Sequence, residues 1–377
     1  MTDNHSPSGQ VRTGRLPPLH FGLIAALLCL TPLAGILYRG GPLGQYMEFP
    51  PTTRYVVHAP FSWPVFLLLI GFVAGVCFPF LRRFLTCDGE AGQAGARGGP
   101  FPWWGWLGAG MVGLFWVLAW NRFVFFEPQQ RYTFFPLWLG CILVLNGLSR
   151  RRKGTCLLCS RPRFFLALFP ASAVFWWYFE YLNRFVQNWY YLAGGNISAV
   201  EYVVHASACF STVLPAVVSA EEFLGTFPRL TEPFRHWRPV PLPQGKCTGL
   251  LLLGVAVFSL ALLAVLPDVL FPLVWIAPLL ILVGFQLVTG RPTVLDGVRK
   301  GNWRRVVLPA LAALLCGFLW EMWNWKSLAQ WQYSIPYVQR FQIFAMPLPG
   351  YAGYLPFGLE CAAAASLIKE YISGNGQ

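Results

Sequence analysis

The stretch TGLLLLGVAVFSLALLAVL, residues 248–266, decides the class of fold. It carries no charged side chain, and its length matches the roughly 20 apolar residues with which an α-helix crosses a bilayer. The whole 377-residue chain agrees, because it is 56% hydrophobic and 11% charged, with a mean hydropathy of +0.51. Soluble globular chains are about a quarter charged. The sequence therefore predicts a polytopic membrane protein and excludes a soluble enzyme, a disordered chain and a disulfide scaffold.

Apolar segments of similar length recur along the chain, and they predict an all-α bundle of about ten transmembrane spans. The predicted spans lie near residues 21–38, 63–81, 103–120, 133–148, 164–182, 202–220, 248–266, 269–288, 306–323 and 353–368. They form one transmembrane domain, residues 19–370, between a disordered cytoplasmic tail, 1–18, and a short cytoplasmic tail, 371–377. Pro267-Asp268 leaves a very tight turn between the seventh and eighth spans, so a re-entrant hairpin is the alternative there.

The distribution of positive charge predicts the orientation. The formal charge is +13, which in a soluble chain would suggest a nucleic-acid partner. Cytoplasmic loops of membrane proteins, however, collect Lys and Arg. With the N-terminus inside, about three quarters of the 28 Lys and Arg fall in inner segments, and every inner connecting loop is richer than every outer one. We therefore expect both termini in the cytoplasm, a bacterial-type inner (plasma) membrane, the lipid bilayer as the partner and no nucleic acid.

The predicted outer loops are long and rich in aromatic and amide residues, whereas the inner loops are short and basic. Loops carry function when a rigid scaffold positions them. We therefore expect a polar and aromatic cavity that opens to the outer face. The sequence holds no Walker, HExxH or paired-histidine haem pattern, and it predicts no cofactor and no metal site.

Three fragments recur in these outer regions. Residues 120–124 (WNRFV) resemble 182–186 (LNRFV), and 55–59 (YVVHA) equals 202–206. A third fragment runs Glu-x-x-Asn and then Trp-x-Tyr, and it begins at Glu180 and again at Glu321. The copies fall at the same ends of predicted spans, which favours an ancient duplication with parallel repeats, as in some transporters. Chance matches in an aromatic-rich chain are the alternative.

Carboxyl groups within spans are the candidate chemical groups, because a charge inside a bilayer is costly and usually functional. Glu180 lies three residues before Asn183, and Glu321 three residues before Asn324, so each pair shares a helix face. The amide could donate to the carboxylate, or both could hold one polar ligand. The alternative is that both glutamates reach the interface and bond an Arg or Tyr of a neighbouring helix.

Glu360 lies deeper, in a predicted span where small residues follow it (Cys361 to Ser366). Small residues allow close packing of helices. A partner is therefore expected nearby, with Arg340, Asn324 or Glu321 as the candidates. Glu360, Glu321 and Glu180 are the predicted catalytic residues.

Polar and aromatic residues of the outer regions are the predicted substrate-binding groups. They are Asn183, Asn324, Asn121, Trp189, Trp331, Tyr333, Arg340 and His205. Trp and Tyr also form belts at both interfaces of any membrane protein. The aromatic clusters are therefore either such a belt or the lining of a groove for an isoprenoid, a lipid tail or a sugar.

The C-terminal region around Trp331-Gln-Tyr333 and Leu355-Pro-Phe-Gly-Leu-Glu360 resembles the small membrane-embedded lycopene cyclases over about 40 residues. That family has a Trp-x-Tyr-like segment before a Leu-Pro-x-Glu-Glu-x-x-Phe-Phe motif. Here one glutamate follows Leu355-Pro356, displaced to position 360, and no double Phe comes after it. The resemblance implies acid-initiated cyclisation or isomerisation of a polyprenoid with Glu360 as the proton donor.

Three functions follow from these observations. The first is an enzyme that acts on a lipid or isoprenoid ligand by acid-base chemistry. The second is a transporter or channel in which the same groups bind a solute or a proton. The third is a non-catalytic membrane scaffold subunit. Neither the substrate nor the oligomeric state follows from the sequence.

Overall fold

The computed structural model describes residues 18–51, 53–87, 98–192 and 197–373. Within these ranges the chain is mostly helical and its strands are only two or three residues long, which confirms the all-α prediction. The α-helices are α1 (Pro18–Tyr38), α2 (Gly44–Met47), α3 (Trp63–Thr86), α4 (Trp103–Trp120), α5 (Phe134–Lys153), α6 (Leu157–Ser160), α7 (Pro162–Val186), α8 (Ala199–Phe210), α9 (Val213–Leu224), α10 (Pro228–Thr231), α11 (Lys246–Val265), α12 (Pro267–Leu270), α13 (Ala277–Val288), α14 (Arg304–Asn324) and α15 (Tyr354–Ser373). The strands are β1 (Trp189–Tyr191), β2 (Trp331–Tyr333), β3 (Gln342–Ile343) and β4 (Met346–Pro347). Of the predicted tails, 1–18 and 371–377, residues 1–17 and 374–377 lie outside the described ranges.

The membrane assignment rests on helix length and apolarity. Within the described ranges, seven helices or helix pairs are long and apolar enough to cross a bilayer, and two more candidates are bent pairs. The seven are α1, α3, α4, α7, α8 with α9, α11 and α14. The protein is thus an integral membrane protein with seven to nine candidate spans. Helix α15, at the tenth predicted span, falls outside this set, so the count of ten stays a prediction.

Helices α5 and α13 each follow a short helical segment from which they are sharply bent. The 3-10 helix Val124–Tyr132 meets α5 at 69°, and the segment Pro267–Trp275 meets α13 at 46°. Proline lies within each of the two leading segments, at Pro128 and Pro272. A proline lacks the backbone N–H that a continuous helix needs. The second bend lies in the region where the sequence left a re-entrant hairpin open.

Each bent segment packs in a helical hairpin whose two helices touch at glycines. A Cβ added at Gly108 of α4 would lie 2.7 Å from the carbonyl oxygen of Gly140 on α5. A Cβ added at Gly249 of α11 would likewise lie 2.7 Å from that of Gly284 on α13. Since only glycine lets the backbones approach so closely, the α4–α5 and α11–α13 hairpins use the same packing device.

The helices that follow the two hairpins form the centre of the molecule. Helix α7 packs against α9 and α15, and α14 packs against the same two helices. The strands that follow α7 and α14, β1 and β2, pair with each other in an antiparallel sheet. Hairpin, long helix and short strand therefore occur twice in the same order.

Two of the three repeated sequence fragments do not have matching structures. His58 lies in an extended segment, whereas His205 lies in helix α8. Asn121 caps the end of α4 and is exposed, whereas Asn183 lies within α7 and is buried. The structural correspondence is confined to the fragments that begin at Glu180 and Glu321.

Candidate functional site

Asn183 ties the end of α7 to strand β1. Its side-chain Nδ2 donates to the carbonyl oxygen of Trp189 at 2.7 Å. Its Oδ1 accepts from the backbone N–H groups of Asn188, at 2.9 Å, and Trp189, at 3.3 Å. The amide is thus bonded to backbone rather than to the carboxylate of Glu180, which was the bond that the shared helix face suggested.

Asn324 does the same for strand β2. Its Nδ2 donates to the carbonyl oxygen of Trp331 at 2.8 Å, and its Oδ1 accepts from the N–H of Trp331 at 2.8 Å. Both asparagines are fully buried. An amide that satisfies a donor and an acceptor of the same backbone segment fixes that segment rigidly, because any displacement leaves buried polar groups unpaired.

The register of the sheet relates the two copies by a local two-fold axis. Trp189 pairs with Tyr333, and Tyr191 pairs with Trp331. The first residue of each Trp-x-Tyr segment therefore lies opposite the third residue of the other. Such a self-complementary pairing is the signature of an isologous, two-fold contact.

Glu180 is fully buried below β1 and accepts three hydrogen bonds at one oxygen. Its Oε1 accepts from Tyr191 Oη at 2.6 Å, from Trp176 Nε1 at 3.0 Å and from Trp189 Nε1 at 3.1 Å. Its Oε2 is buried and has no hydrogen-bond partner among the described residues. The carboxyl group therefore fixes three aromatic rings through one oxygen, and its second oxygen makes no hydrogen bond to a described residue.

Glu321 is fully buried in the equivalent position below β2. Its Oε1 accepts from Tyr333 Oη at 2.6 Å and from Tyr354 Oη at 2.9 Å. Trp331 Nε1 donates to the Tyr333 hydroxyl at 2.8 Å, which extends the network. Its Oε2, like that of Glu180, has no partner within the described part of the chain.

One difference between the copies has a simple steric cause. Trp176 lies one helical turn before Glu180, and Gly317 lies one turn before Glu321. The Tyr354 ring fills the space at that glycine, since a Cβ there would lie 2.4 Å from it. The Tyr354 hydroxyl thus takes the place of the Trp176 indole N–H as a donor.

The donors of both carboxyl groups line one cavity of about 190 Å³, which we call the aromatic cavity. Trp176, Trp189 and Tyr191 reach it from the first copy, and Trp331, Tyr333 and Tyr354 from the second. Its other aromatic lining includes Phe134, Tyr202, Phe210, Trp275 and Trp320, and Arg131 and His205 also reach it. The carboxyl groups themselves lie behind this wall.

The strand tyrosines stay protonated at physiological pH. Burial, and then the neighbouring carboxylate, raises the pKa of Tyr191 and Tyr333 well above the ordinary value for tyrosine. Both hydroxyls therefore remain donors to Glu180 and Glu321, and both tyrosines lie at the wall of the aromatic cavity.

Glu360 lies elsewhere and has a different partner. Its Oε1 accepts from the backbone N–H of Leu279 at 3.1 Å, in the first turn of α13. None of the expected partners, Arg340, Asn324 or Glu321, bonds it. A carboxylate at a helix N-terminus satisfies a free N–H and favours the helix dipole. Glu360 thus stabilises the start of α13. Trp275 lies just before this start, at the end of the preceding 3-10 helix.

The remaining predicted residues divide into two groups. Trp189, Trp331, Tyr333 and His205 line the aromatic cavity. Asn121 bonds the carbonyl oxygen of Val117 at the exposed end of α4, and the Arg340 guanidinium lies 4.5 Å from the centre of the Phe61 ring. Neither of the last two reaches the cavity, so the structure gives them no place at the site. Their assignment as ligand-binding residues stays untested.

Trp176 and Tyr191 belong to aromatic clusters, 175–179 and 189–191, that the sequence left open as belt or groove lining, whereas Trp275 and Tyr354 were given no ligand-binding role. Tyr191 could have been singled out, because it corresponds to Tyr333 in the repeated Trp-x-Tyr segment. Trp176 has no counterpart in the other copy, and Trp275 and Tyr354 belong to segments far away in sequence. Trp275 and Tyr354 reach the aromatic cavity only because the bent segment and α15 pack against α7 and α14.

Comparison with protein-family models, with curated proteins and with solved structures gives no match to the chain. The function must therefore be argued from the site alone.

Proposed function

We propose that the protein is a membrane-embedded enzyme that acts on an isoprenoid or another unsaturated lipid by acid-base chemistry. One observation carries this proposal: two buried carboxyl groups, Glu180 and Glu321, hold tyrosine hydroxyls at the wall of a single apolar cavity. A cavity with so few polar lining groups suits an apolar ligand and not a sugar or an ion.

The aromatic lining suits the chemistry of a carbon–carbon double bond. One carboxyl group, protonated at the start, would give its proton to its tyrosine oxygen while the tyrosine passes its own hydroxyl proton to a double bond. The π electrons then form a new C–H bond, and the step leaves a carbocation and a carboxylate. The electron-rich faces of Trp and Tyr rings stabilise a cation. The other pair would take a proton from a neighbouring carbon, and those electrons form a new double bond. The product is an isomer of the substrate, so no oxidant or co-reactant is needed.

The resemblance to the small lycopene cyclases supports the isoprenoid class but assigns the proton to Glu360. Glu360 bonds a helix N-terminus and is not among the cavity residues. We therefore propose Glu180 and Glu321 as the proton-handling pair and give Glu360 a structural role.

The experiment compares lipid extracts of cells that carry the wild-type gene, no gene, or a variant. We expect an isomer pair to change in relative abundance, by mass spectrometry and chromatography, when the gene is removed. Glu180→Gln and Glu321→Gln should resemble the deletion, whereas Glu127→Gln, which changes an acid outside the site, should resemble the wild type. Unchanged lipids in all strains would refute the enzyme and favour the scaffold.

The orientation of the site is part of the proposal. The excess of Lys and Arg in the predicted inner loops supports cytoplasmic termini and an aromatic cavity at the outer side of the plasma membrane. Single-cysteine variants test this with an impermeant maleimide on intact cells. A cysteine at Val124 should be labelled, and the native Cys159 should be labelled only after lysis, because both positions are exposed on the protein and the proposed orientation puts them on opposite sides of the membrane. The reverse pattern would invert the arrangement.

A transporter is the second candidate, and the paired bends favour it. Interrupted helices at matching places of two repeats are typical of transporters, in which the interrupted helices form the binding site. The bends before α5 and α13 fit that description. A transporter would leave the lipid isomers unchanged and alter the distribution of a lipid or solute across the membrane.

A further inference from the structure

Beside the aromatic cavity lies a second one, of about 240 Å³. Its lining is almost wholly apolar and comes from α3, from the bent segment before α13 and from the region 335–356. Trp189, Trp275, Tyr333 and Met346 line both cavities. The two cavities are therefore adjacent and share part of their walls, to which Gly350 and Gly353 also contribute.

Helix α3 is attached to the rest of the protein mainly at its ends. At its start the N–H of Ser62 donates to the carbonyl oxygen of Tyr337 at 2.9 Å, and Phe66 packs against Phe341. At its other end Arg83 Nε donates to the carbonyl oxygen of Pro233 at 2.8 Å. Only 6% of its most apolar stretch is buried inside the protein. The middle of α3 thus spans the second cavity without filling it.

The second cavity opens toward the hydrocarbon of the bilayer. Leu69, Val73 and Cys77, four residues apart, present one half-buried face of α3 to it. Phe72 and Val76 also line it, although they are 67% and 49% exposed. A residue that lines a cavity and is also exposed on a membrane-facing helix marks the rim of an opening. An apolar chain could enter there without leaving the hydrocarbon.

The cavities could be joined by the movement of a single side chain of the shared wall, without the movement of a helix. Met346 is unbranched and adapts to irregular spaces. Its Sδ would lie 2.3 Å from a Cβ at Gly350, and Trp275 would lie 3.2 Å from a Cβ at Gly353. The two glycines leave the room that Met346 and Trp275 occupy, so rotation of Met346 is the simplest way to join the cavities.

We infer that the two cavities form one site for a single long lipid chain, which enters from the bilayer beside α3. The reacting end lies in the aromatic cavity, and the remainder of the chain lies in the second cavity. Neither cavity alone reaches the ~300 Å³ of a typical small-molecule site, whereas the combined volume of the two cavities exceeds it. This inference rests on the proposed lipid ligand but not on the proposed chemistry.

The test is the chain length of the lipid that the purified protein binds. Wild-type protein and the variants Val73→Trp and Ala74→Trp are reconstituted in nanodiscs, and binding of polyprenols of graded length is measured by native mass spectrometry. Val73 faces the second cavity, whereas Ala74 is exposed and does not line it. Val73→Trp should shift the preference of long over short polyprenols by about tenfold, the effect of losing contact with roughly two methylene groups. Ala74→Trp should leave it unchanged.

Equal shifts in the two variants, or no shift in either, would overturn the inference. A second measurement uses only the wild-type protein, so misfolding of a variant cannot affect it. A thiol-reactive probe carried on a lipid chain should label Cys77, and a long polyprenol should slow this labelling. An equal rate of Cys77 labelling with and without the polyprenol would also overturn the inference. Both readouts measure binding to the purified protein and do not depend on product formation. A failure of the acid-base proposal is therefore distinguishable from a failure of this one.

Discussion

Glu180 and Glu321 are held in the same way, since each accepts a hydrogen bond of 2.6 Å from the tyrosine of the strand that follows its own helix. Those strands pair with each other, so the two carboxyl groups are parts of one assembly. The buried Oε2 of each has no partner among the described residues. Glu360 also has a buried Oε2 without a partner among the described residues, so the tyrosine hydrogen bonds at the shared sheet, and not the free oxygens, set Glu180 and Glu321 apart.

The first prediction concerns the carboxyl groups. Glutamine keeps an oxygen that can accept from the hydroxyls of Tyr333 and Tyr354, so Glu321→Gln should fold. It cannot give or take the proton, and we expect the rate of isomer formation to fall about 100-fold or more, the range for loss of a general acid or base. Lipid analysis gives the rate, and size-exclusion profiles in detergent give the folding. A folded Glu321→Gln variant with wild-type product levels would refute the role.

The second prediction concerns the asparagines that anchor the strands. Asn324→Ala leaves the N–H and the carbonyl group of Trp331 without their partner, and should lower the free energy of unfolding by about 1–3 kcal/mol. Asn121→Ala is the control, because Asn121 is exposed and bonds only the preceding turn. Thermal unfolding in detergent measures both. Equal stability of the two variants would mean that Asn324 does not hold β2.

The third prediction concerns the glycine contacts of the hairpins. Gly249→Leu in α11 should force α11 and α13 apart and destabilise the protein by about 1–3 kcal/mol, the usual cost of overpacking. Gly254 lies on the same helix with nothing within 4 Å of an added Cβ. Gly254→Leu should therefore be neutral, and a loss as large as that of Gly249→Leu would contradict the packing.

The fourth prediction separates Glu360 from the other two glutamates. Glu360→Gln keeps an acceptor for the N–H of Leu279 and should retain most activity. Glu360→Ala removes the cap and should cost about 1 kcal/mol of stability, with the product ratio unchanged in the folded fraction. If Glu360→Gln abolished product formation without unfolding the protein, the lycopene cyclase resemblance would name the proton donor correctly.

The sequence predicted the helical class well because apolarity and length are local properties, and each of the ten predicted spans contains helix. The predicted fourth span begins at the bend before α5, and a re-entrant hairpin was left open near the bend before α13, but the angles of the two bends do not follow from composition. The Glu-x-x-Asn and Trp-x-Tyr repeat located the core of the site. Asn183 and Asn324 were expected to hold a carboxylate or a ligand, and their backbone bonds depend on the turn after each helix, which composition does not specify.

Glu360 shows the limit of reasoning from burial alone. A lone acid in an apolar segment is a candidate for chemistry, yet its nearest donor is a backbone N–H that became available because α13 begins inside the membrane domain. That donor exists only because the helix is broken. Trp275 and Tyr354 were missed for the related reason that their neighbours are distant in sequence.

The central claim is that Glu180 and Glu321 act together on one ligand, and a double-mutant comparison tests it most directly. The product formed in cells is measured for Glu180→Gln, for Glu321→Gln and for the double variant. Groups that act as a unit are non-additive, so we expect each single variant to lose nearly all activity and the double variant to lose no more. Losses that multiply in the double variant, or a single variant that keeps wild-type activity, would contradict the claim.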